Sequence, residues 1–346
     1  DDGWFGARND DHRGLGDWQP NMAKLGGTVA DLARRVNEVG LGFGIWVEPE
    51  MVNEDSDLFR AHPDWALTVP GKEPVLGRDQ LVLDLSRAEV RDNLFEQLCA
   101  VLDQGGIDYV KWDYNRSIVD VYSRTASDQG KVLYDYMLGL YDLLERVRSR
   151  YPELLIEGCS AGGGRFDAGM LYYTPQIWTS DNTDARNRLE IQYGTSFGYP
   201  CSAMGAHVSA CPNEITGRTV PLGARGTVAM GGGAFGYELD LMELNDRACE
   251  LIRSQVKTYP KDAAVAAWEF VSEDGSEALV CAVVTRVDGY GLANYVVPRG
   301  LTPGAHYRMV SNGRVYSADA LMDMGLPVSV PATPYESFMY RFERVD

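Results

Sequence analysis

The chain has 346 residues, of which 45% are hydrophobic and 24% are charged, and its formal net charge at pH 7 is −18. This composition predicts an ordinary globular protein with a substantial core, long enough for one large α/β domain and one small domain. The negative charge argues against nucleic acids and anionic membranes as partners, and no apolar run reaches the roughly 18 to 20 residues that a membrane helix needs.

Up to about residue 260, short apolar runs alternate with amphipathic stretches. The apolar runs predict strands at 43–47, 109–112, 154–156, 176–179, 205–209 and 228–235. The amphipathic stretches predict helices at 28–39, 89–102, 132–147, 187–197 and 241–256. Alternation of strands and helices at this spacing predicts a parallel sheet with right-handed crossovers.

Two parallel-sheet folds fit this alternation, a doubly wound sheet and a (β/α)8 barrel. Most of the predicted strands end in a polar cluster, as in Glu48-Pro49-Glu50, Asp113-Tyr114-Asn115, Cys159-Ser160 and Ser180-Asp181-Asn182. A barrel places catalytic groups at the C-terminal ends of several strands, whereas a doubly wound sheet concentrates its site at one switch point. We therefore predict that residues 1–260 form a catalytic (β/α)8 TIM-type barrel.

The pattern changes near residue 262. Short β-type runs follow at 264–270, 278–285, 293–297, 307–311, 327–330 and 337–342, separated by turn sequences such as Asn312-Gly313. Residues 261–346 are predicted to form a small antiparallel β-sandwich domain.

The segment 108–116 carries the densest group of chemically active side chains. Side chains alternate along a strand, so Lys111, Asp113 and Asn115 are predicted to share one face. A cation two residues from a carboxylate favours its ionised form, which suits a nucleophile or an electrostatic stabiliser. The alternative is a structural salt bridge at the end of a core strand.

A second carboxylate cluster lies at 178–184, again at a predicted strand end. Two carboxylates that converge on one pocket suit glycoside hydrolysis, in which one attacks the anomeric carbon and the other protonates the leaving oxygen. Lys111 lies beside Asp113, whereas Asp181 has neutral neighbours, so Asp113 is predicted to be the nucleophile and Asp181 the acid/base. The alternative role for Asp181 or Thr183 is to cap the next helix, although Asp184 also fits that role.

The remaining motifs have both functional and structural interpretations. A glycine loop at 158–167 lacks a phosphate-binding ending, and its glycines indicate close approach of the backbone to a ligand. The G-x-G-x-x-G at 231–236 leads into what looks like a strand end, so we do not interpret it as a dinucleotide site. Five further side chains could either bind a ligand or be merely structural: Trp4, Trp46, Trp112, Trp178 and Arg78. The pair Glu48 and Glu50 could hold a divalent cation, but no matching set of Asp and His residues accompanies it.

At these motifs the chain resembles the glycoside hydrolase family 36 α-galactosidases, which include melibiase-like enzymes. The matching segments, in order, are DDGWFG at 1–6, RNDD at 8–11, GDW at 16–18, GIWVEPEM at 44–51, KWDYNR at 111–116, EGCSAGGGRFD at 157–167, WTSDNTD at 178–184, GAHVS at 205–209 and MDMGLP at 322–327. Family members carry a large β-sandwich domain and a first barrel strand ahead of these motifs. We therefore expect the chain to be part of a longer protein, with residues 1–260 forming the barrel without its first strand.

The resemblance implies a retaining α-galactosidase that needs no metal or other cofactor. By position, Asp113 resembles the nucleophile and Asp181 the acid/base. Asp1 and Asp2 would bind the 4- and 6-hydroxyls of galactose, and Lys111 the 3- and 4-hydroxyls. The residues that would line the rest of the subsite are Trp46, Arg78, Asn115, Cys159 (near the 2-hydroxyl), Gly162 and Trp178.

The predicted function is exo-hydrolysis of terminal α-linked galactose from oligosaccharides such as melibiose and raffinose. Alternatives are an α-N-acetylgalactosaminidase, a raffinose-type galactosyl transglycosylase and a non-catalytic galactoside-binding protein. The six cysteines lack C-x-x-C pairs, and the N-x-S/T sequon at Asn115 lies inside the proposed site, so a cytoplasmic location is predicted. We also expect a homo-oligomer.

Overall fold

The computed structural model describes residues 2–259, 265–284, 294–328 and 337–346. The chain forms two compact units, the first comprising residues 1–191 and 203–206 and the second comprising residues 192–202 and 207–346. Parts of the predicted strands, at residues 264, 285, 293 and 329–330, lie outside the described residues.

The helices and strands follow one another in the order that the sequence pattern indicates. The strands are β1 Gly44–Val47, β2 Met51–Asn53, β3 Gln80–Val82, β4 Tyr109–Trp112, β5 Leu155–Gly158, β6 Gln176–Trp178, β7 Met204–Val208, β8 Ala234–Tyr237, β9 Val265–Val271, β10 Glu277–Val284, β11 Asn294–Val296, β12 His306–Met309, β13 Val315–Ser317, β14 Leu326–Val328 and β15 Ser337–Arg344. The α-helices are α1 Met22–Leu25, α2 Val29–Glu38, α3 Asp57–Ala61, α4 Ala88–Leu102, α5 Val132–Arg150, α6 Ala168–Tyr173, α7 Ala185–Ser196, α8 Leu222–Ala229, α9 Asp246–Thr258 and α10 Ala318–Met324. None of the helices in the described part of the chain is long and apolar enough to cross a bilayer.

The main sheet has the strand order β1-β4-β5-β6-β7-β8, and its pairs from β1 through β7 are parallel. Helices α4, α5, α6 and α7 each precede one of these strands, which confirms the predicted α/β alternation. The register places Trp46 beside Lys111 and Lys111 beside Glu157, so side chains from three neighbouring strands share one face. The C-terminal ends of the strands therefore meet at a common edge.

The core of the first unit lies between this sheet and its helices. Helix α4 buries Leu94 and α5 buries Leu140, in one cluster with Val110 of β4 and Ile156 of β5. Each such side chain stabilises the fold by about 1.5–3 kcal/mol when it leaves water. A Cβ on Gly139 of α5 would lie 1.9 Å from the Leu85 carbonyl oxygen, so the helix packs directly against the chain that follows β3.

The second unit contains the predicted antiparallel β-structure. A five-stranded sheet has the order β13-β12-β15-β10-β9, and β11 pairs with β14 in a smaller sheet. Its core combines residues from both sheets with helix α10, including Val280, Val296, Ala318, Leu326 and Phe342. The C-terminal β domain is confirmed, and α10 is an element that the β-type pattern did not predict.

The single strand predicted at 228–235 is wrong. Its first two residues end helix α8, a turn follows, and strand β8 begins only at Ala234. Apolar runs of this length fit a helix or a strand equally well, and here the glycines of the turn divide the run. The G-x-G-x-x-G pattern thus follows a helix and leads into a strand, the reverse of a dinucleotide-binding fingerprint.

Candidate active site

Asp113 lies directly after β4 and is held by three N–H donors. Its Oδ2 accepts hydrogen bonds from the indole Nε1 of Trp46 at 2.9 Å and from Nδ2 of Asn115 at 2.7 Å. Its Oδ1 accepts from the backbone N–H of Tyr114 at 2.9 Å. The carboxylate is 6% exposed, so these bonds fix its orientation in a largely dry setting. A fixed carboxylate of this kind is what attack on a bound carbon requires.

Cys159 and Lys111 adjoin this carboxylate. Cys159 follows β5, and its thiol is buried near Asp113. Burial and the negative charge of Asp113 raise the pKa of the thiol, which therefore stays protonated. Lys111 opposes that shift with its positive charge, and its Nζ lies 5.6 Å from the centroid of the Trp178 ring. The face that the sequence predicted for Lys111 and Asp113 is thus also the face of Cys159.

Asp181 follows β6 and is exposed. Its Oδ1 accepts a hydrogen bond from the indole Nε1 of Trp178 at 3.0 Å. Helix α7 is capped by Asp184, whose Oδ1 accepts the backbone N–H of Asn187 at 3.0 Å. The interpretation of Asp181 or Thr183 as the cap is therefore wrong, and Asp181 remains available for chemistry.

The glycine loop joins the two aspartates. Gly162 has a φ of +87°, and a Cβ there would lie 2.7 Å from Cα of Ser180 and 3.0 Å from the backbone nitrogen of Asp181. A Cβ on Gly163 would lie 2.7 Å from the carbonyl oxygen of Thr179. The sequence predicted that this backbone approaches a ligand closely, and the close approach in the structure is to the end of β6. The loop begins at Cys159, near Asp113, and contacts the backbone of Asp181 at Gly162.

Asp2 and Arg78 both contact the segment 8–11, and Asp1 lies outside the described residues. Arg8, which is 1% exposed, donates from Nε to Asp2 at 3.0 Å and from Nη2 to Asp11 at 3.2 Å. Arg78 is exposed, and its Nη2 lies 3.5 Å from Oδ2 of Asp11. The sequence analysis did not predict that Arg8 holds Asp2 in place. The one feature of the sequence that pointed to Arg8 was its position in the motif segment 8–11.

Glu48 and Glu50 do not form a joint cation site, because their carboxylates face different partners. Glu48 accepts the backbone N–H of Asn115 at 2.7 Å and Nε2 of Gln80 at 3.1 Å. Glu50 pairs with Arg165 at 2.8 Å. In the part of the chain that the structure describes, no group of three or more His, Cys, Asp or Glu residues could hold a metal ion.

The tryptophans divide between the site and the core. Trp46 and Trp178 each point an indole N–H at one of the two aspartates, which the sequence could not foresee. Trp112 is buried and donates to Glu50 at 3.0 Å, and Trp4 donates to the Trp46 carbonyl at 2.8 Å. Trp112 and Trp4 are thus structural in this unit.

Two protein-family profiles match the chain. The profile described as Melibiase matches residues 1–268, and the profile described as Glycosyl hydrolase family 36 C-terminal domain matches residues 265–342. The chain belongs to glycoside hydrolase family 36. This result confirms the resemblance predicted from the motifs.

Curated relatives of this family 36 chain are named α-galactosidases. The bifunctional α-galactosidase/sucrose kinase AgaSK of Mediterraneibacter gnavus is 55% identical over 99% of the chain and 38% of its own length. The α-galactosidase AgaA of Geobacillus stearothermophilus is 46% identical over 100% of the chain and 50% of its own length. The family 36 chain therefore spans half or less of the length of these relatives.

Solved structures give the same picture of the family 36 fold. The galactosidase domain of AgaSK superimposes with a TM-score of 0.74 and covers 99% of this chain and 49% of that one. The AgaA crystal structure superimposes with a TM-score of 0.75 at 46% identity, covering 99% of this chain and 50% of that one. Variants of AgaA have been solved in complex with raffinose and with stachyose.

Proposed function

We propose that the protein is a retaining exo-α-galactosidase that releases terminal α-linked galactose from oligosaccharides such as melibiose and raffinose. The observation that carries this proposal is the Asp113 carboxylate, fixed by Trp46, Asn115 and the backbone N–H of Tyr114. The raffinose and stachyose complexes of AgaA variants support the class of substrate.

The proposed reaction has two displacements. In the first, an oxygen of Asp113 bonds to the anomeric carbon while the glycosidic bond breaks, and Asp181 gives its proton to the departing oxygen. In the second, Asp181 takes a proton from water, whose oxygen replaces Asp113 at the same carbon. The exposure of Asp181 suits this exchange with water, whereas the buried Asp113 is shielded from it. Retaining enzymes place such carboxyls roughly 5 to 5.5 Å apart, and neither step needs a metal or other cofactor.

The other predicted residues complete the proposed galactose subsite. Asp1 and Asp2 would select galactose by bonding its axial 4-hydroxyl and its 6-hydroxyl, because glucose would leave those carboxylates without a partner. Lys111 would bond the 3- and 4-hydroxyls, and Cys159 would lie near the 2-hydroxyl. The remaining lining residues would be Trp46, Arg78, Asn115, Gly162 and Trp178.

The strands of residues 1–260 are proposed to belong to a (β/α)8 barrel, which the β domain of residues 261–346 follows. Support comes from strands β1, β4, β5, β6 and β7, which are parallel neighbours in this order. In the chain, a helix lies between each of these strands and the next. We also propose a cytoplasmic location, since the cysteines are free thiols scattered along the chain. A homo-oligomer is a separate proposal, which rests on the resemblance alone.

Hydrolysis of p-nitrophenyl α-galactoside beside its N-acetylgalactosamine analogue tests the proposal. We expect release of nitrophenolate from the galactoside, with α-galactose as the first anomer seen by proton NMR. Faster cleavage of the N-acetyl compound would favour the N-acetylgalactosaminidase alternative, and β-galactose as first product would contradict retention. If the protein bound these compounds and cleaved neither, the result would favour the alternative of a non-catalytic galactoside-binding protein.

Substitution of Gly162 by alanine is expected to lower both stability and kcat. The new Cβ would meet the Ser180 Cα at 2.7 Å and push the backbone of Asp181. A displacement of about 1 Å in a catalytic group costs about 100-fold in rate. Thermal unfolding and kcat on the nitrophenyl galactoside measure the two effects.

Gly26→Ala is the matched control for Gly162→Ala. Gly26 has a φ of +67°, with no other atom within 4 Å of its would-be Cβ. Its alanine variant isolates the cost of a left-handed backbone, roughly 1–2 kcal/mol, without a clash. If both variants lost equal stability and kept full kcat, the contact between the glycine loop and Asp181 would have no part in catalysis.

A further inference from the structure

Glu48 is a buried carboxyl for which the proposed reaction has no step. It directly follows β1 and is 1% exposed. Its Oε1 accepts the backbone N–H of Asn115 at 2.7 Å, and its Oε2 lies 3.1 Å from Nε2 of Gln80. Glu48 thus touches the segment that carries Asp113.

Asn115 connects Glu48 to the nucleophile. The same residue that gives its backbone N–H to Glu48 gives its side-chain Nδ2 to Oδ2 of Asp113 at 2.7 Å. Asn115 therefore bonds to both carboxyls, to Glu48 through its backbone and to Asp113 through its side chain, so the state of Glu48 affects how firmly Asn115 holds Asp113.

The charges around Glu48 favour its neutral form. Burial, reinforced by the negative charge of Asp113 just after β4, raises the pKa of Glu48 from 4.5 to about 8. Arg78, from the segment before β3, and the hydrogen bonds of Asn115 act in the opposite direction. Glu48 therefore holds a proton at neutral pH.

Gln80 of β3 can serve this neutral form. The side chain is fully buried, and its Oε1 has no hydrogen-bond partner within the described residues. In the orientation found, Nε2 donates to Glu48; a half-turn of the amide would place Oε1 where it can accept the proton of a neutral Glu48 and would move Nε2 to the position that Oε1 now holds. A buried amide with an unused acceptor beside a buried carboxyl is what a carboxylic acid in this position requires.

We propose that Glu48 is a positioning residue that, in its neutral form, leaves the Asn115 amide to hold Asp113 in place for attack. This inference rests on the proposed function. An ionised Glu48 would draw the Asn115 amide toward itself and loosen Asp113, so formation of the galactosyl-enzyme should slow as Glu48 loses its proton.

The test follows the first displacement alone. In an Asp181→Ala background, 2,4-dinitrophenyl α-galactoside needs no acid to leave, and the burst of dinitrophenolate reports attack by Asp113. We expect the burst rate to fall above about pH 8 in this parent, because Glu48 then ionises. Adding Glu48→Gln should keep the rate high through pH 9, since glutamine stays neutral and can still accept the Asn115 N–H.

Adding Glu48→Ala instead removes the acceptor at every pH. We expect the maximal burst rate to fall about 10- to 100-fold while the substrate concentration that gives half of that rate stays unchanged, because Asp113 is misplaced while the sugar contacts remain. Glu50→Gln is the matched control, the same change two residues along the chain on a carboxylate that pairs with Arg165. Glu50→Gln should lower the melting temperature, and its burst rate should fall above about pH 8 as it does in the parent.

Thermal stability gives an independent readout of the proton on Glu48. Because the pKa is raised from 4.5 to about 8 on folding, the stability that this proton contributes is complete below pH 4.5 and is lost as pH rises to about 8. The melting temperature of Glu48→Gln relative to wild type should therefore rise from pH 5 to pH 8 and then level off. A flat difference would contradict a neutral Glu48.

The outcomes separate the two proposals. If the wild-type protein releases no dinitrophenolate, the proposed function fails. If it does, and Glu48→Gln and Glu48→Ala both match the parent in burst rate and pH profile, only the role of Glu48 is overturned. A burst rate that rises above pH 8 in the parent would also overturn it, because an ionised Glu48 would then assist Asp113.

Discussion

Asp113→Asn is expected to abolish galactoside turnover, by on the order of 10⁴-fold or more, while galactose still binds. The amide cannot form the covalent bond to the anomeric carbon, although it fills the same space beside Trp46 and Cys159. Calorimetric titration with galactose measures the binding, and nitrophenolate release measures the turnover. Wild-type turnover in this variant would remove Asp113 as the nucleophile.

Azide identifies the role of each aspartate by the anomer that it yields. In Asp113→Gly, azide fits the space left by the carboxylate, bonds to the anomeric carbon from the β face as the leaving group departs, and gives β-galactosyl azide. In Asp181→Gly, Asp113 still displaces an activated leaving group, and azide then displaces Asp113 to give α-galactosyl azide. Proton NMR of the products distinguishes the two, and the reverse result would exchange the two roles.

Alternation along a strand predicts the face on which Asp113 lies, and the common edge formed by the ends of parallel strands predicts where Asp181 lies. Lys111 and Asp113 share the face that the period of two requires, and the parallel ends of β4 and β6 bring Asp113 and Asp181 to one edge of the sheet. The indole donors of Trp46 and Trp178 could not be predicted, because the direction of an N–H depends on a rotamer set by packing between strands. The catalytic roles of Asp113 and Asp181 stay predictions until the variants of these two residues are measured.

The buried carboxyls show a second limit of the sequence. Glu48 and Glu50 lie two residues apart, which made a shared cation conceivable. Their separate partners, Asn115 and Arg165, come from segments 67 and 115 residues away in the chain. Contacts of such long sequence separation leave no local pattern, so neither the neutral Glu48 nor the Glu50 ion pair was predicted.

Strand and helix prediction succeeded where periodicity was long or flanked by polar residues. Strand β4 and helix α4 lie within a residue of their predicted bounds, whereas the run at 228–235 was split by glycines. Strands β2 and β3 have three residues each, too short to show a period. Helix α10 was missed because its seven residues follow directly on β13.

Glu50 links three parts of the first unit through one buried carboxylate. It is fully buried, and it accepts hydrogen bonds from Trp112 of β4 at 3.0 Å and from Tyr136 of α5 at 2.5 Å. Arg165 of the glycine loop adds two further bonds, at 2.8 and 3.1 Å. Arg165 also donates to Ser160 at 2.7 Å, so this ion pair ties the loop beneath Asp181 to the core.

Glu50→Gln is therefore expected to lower the free energy of unfolding by about 3–5 kcal/mol. Breaking a buried pair by removing one partner leaves an uncompensated charge, here the guanidinium of Arg165. Glutamine can still accept from Trp112 and from Nη2 of Arg165 and can donate to the Tyr136 oxygen, but its Nε2 cannot accept from Nη1 of Arg165, so the loss reports the charge together with that one hydrogen bond. Urea unfolding at pH 7 measures the difference.

The double variant Glu50→Gln/Arg165→Met is the control for that loss. It removes both charges while methionine keeps much of the arginine stem, and such neutral replacements of buried pairs are often nearly isoenergetic. We expect it to regain at least about 2 kcal/mol relative to Glu50→Gln, a coupling energy that the double-mutant cycle isolates. Two results would contradict this role of the ion pair: a loss below about 1 kcal/mol in Glu50→Gln, or a loss in the double variant equal to the sum of the losses in Glu50→Gln and Arg165→Met. In either case, the packing of Gly162 and Gly163 alone would hold the glycine loop in position.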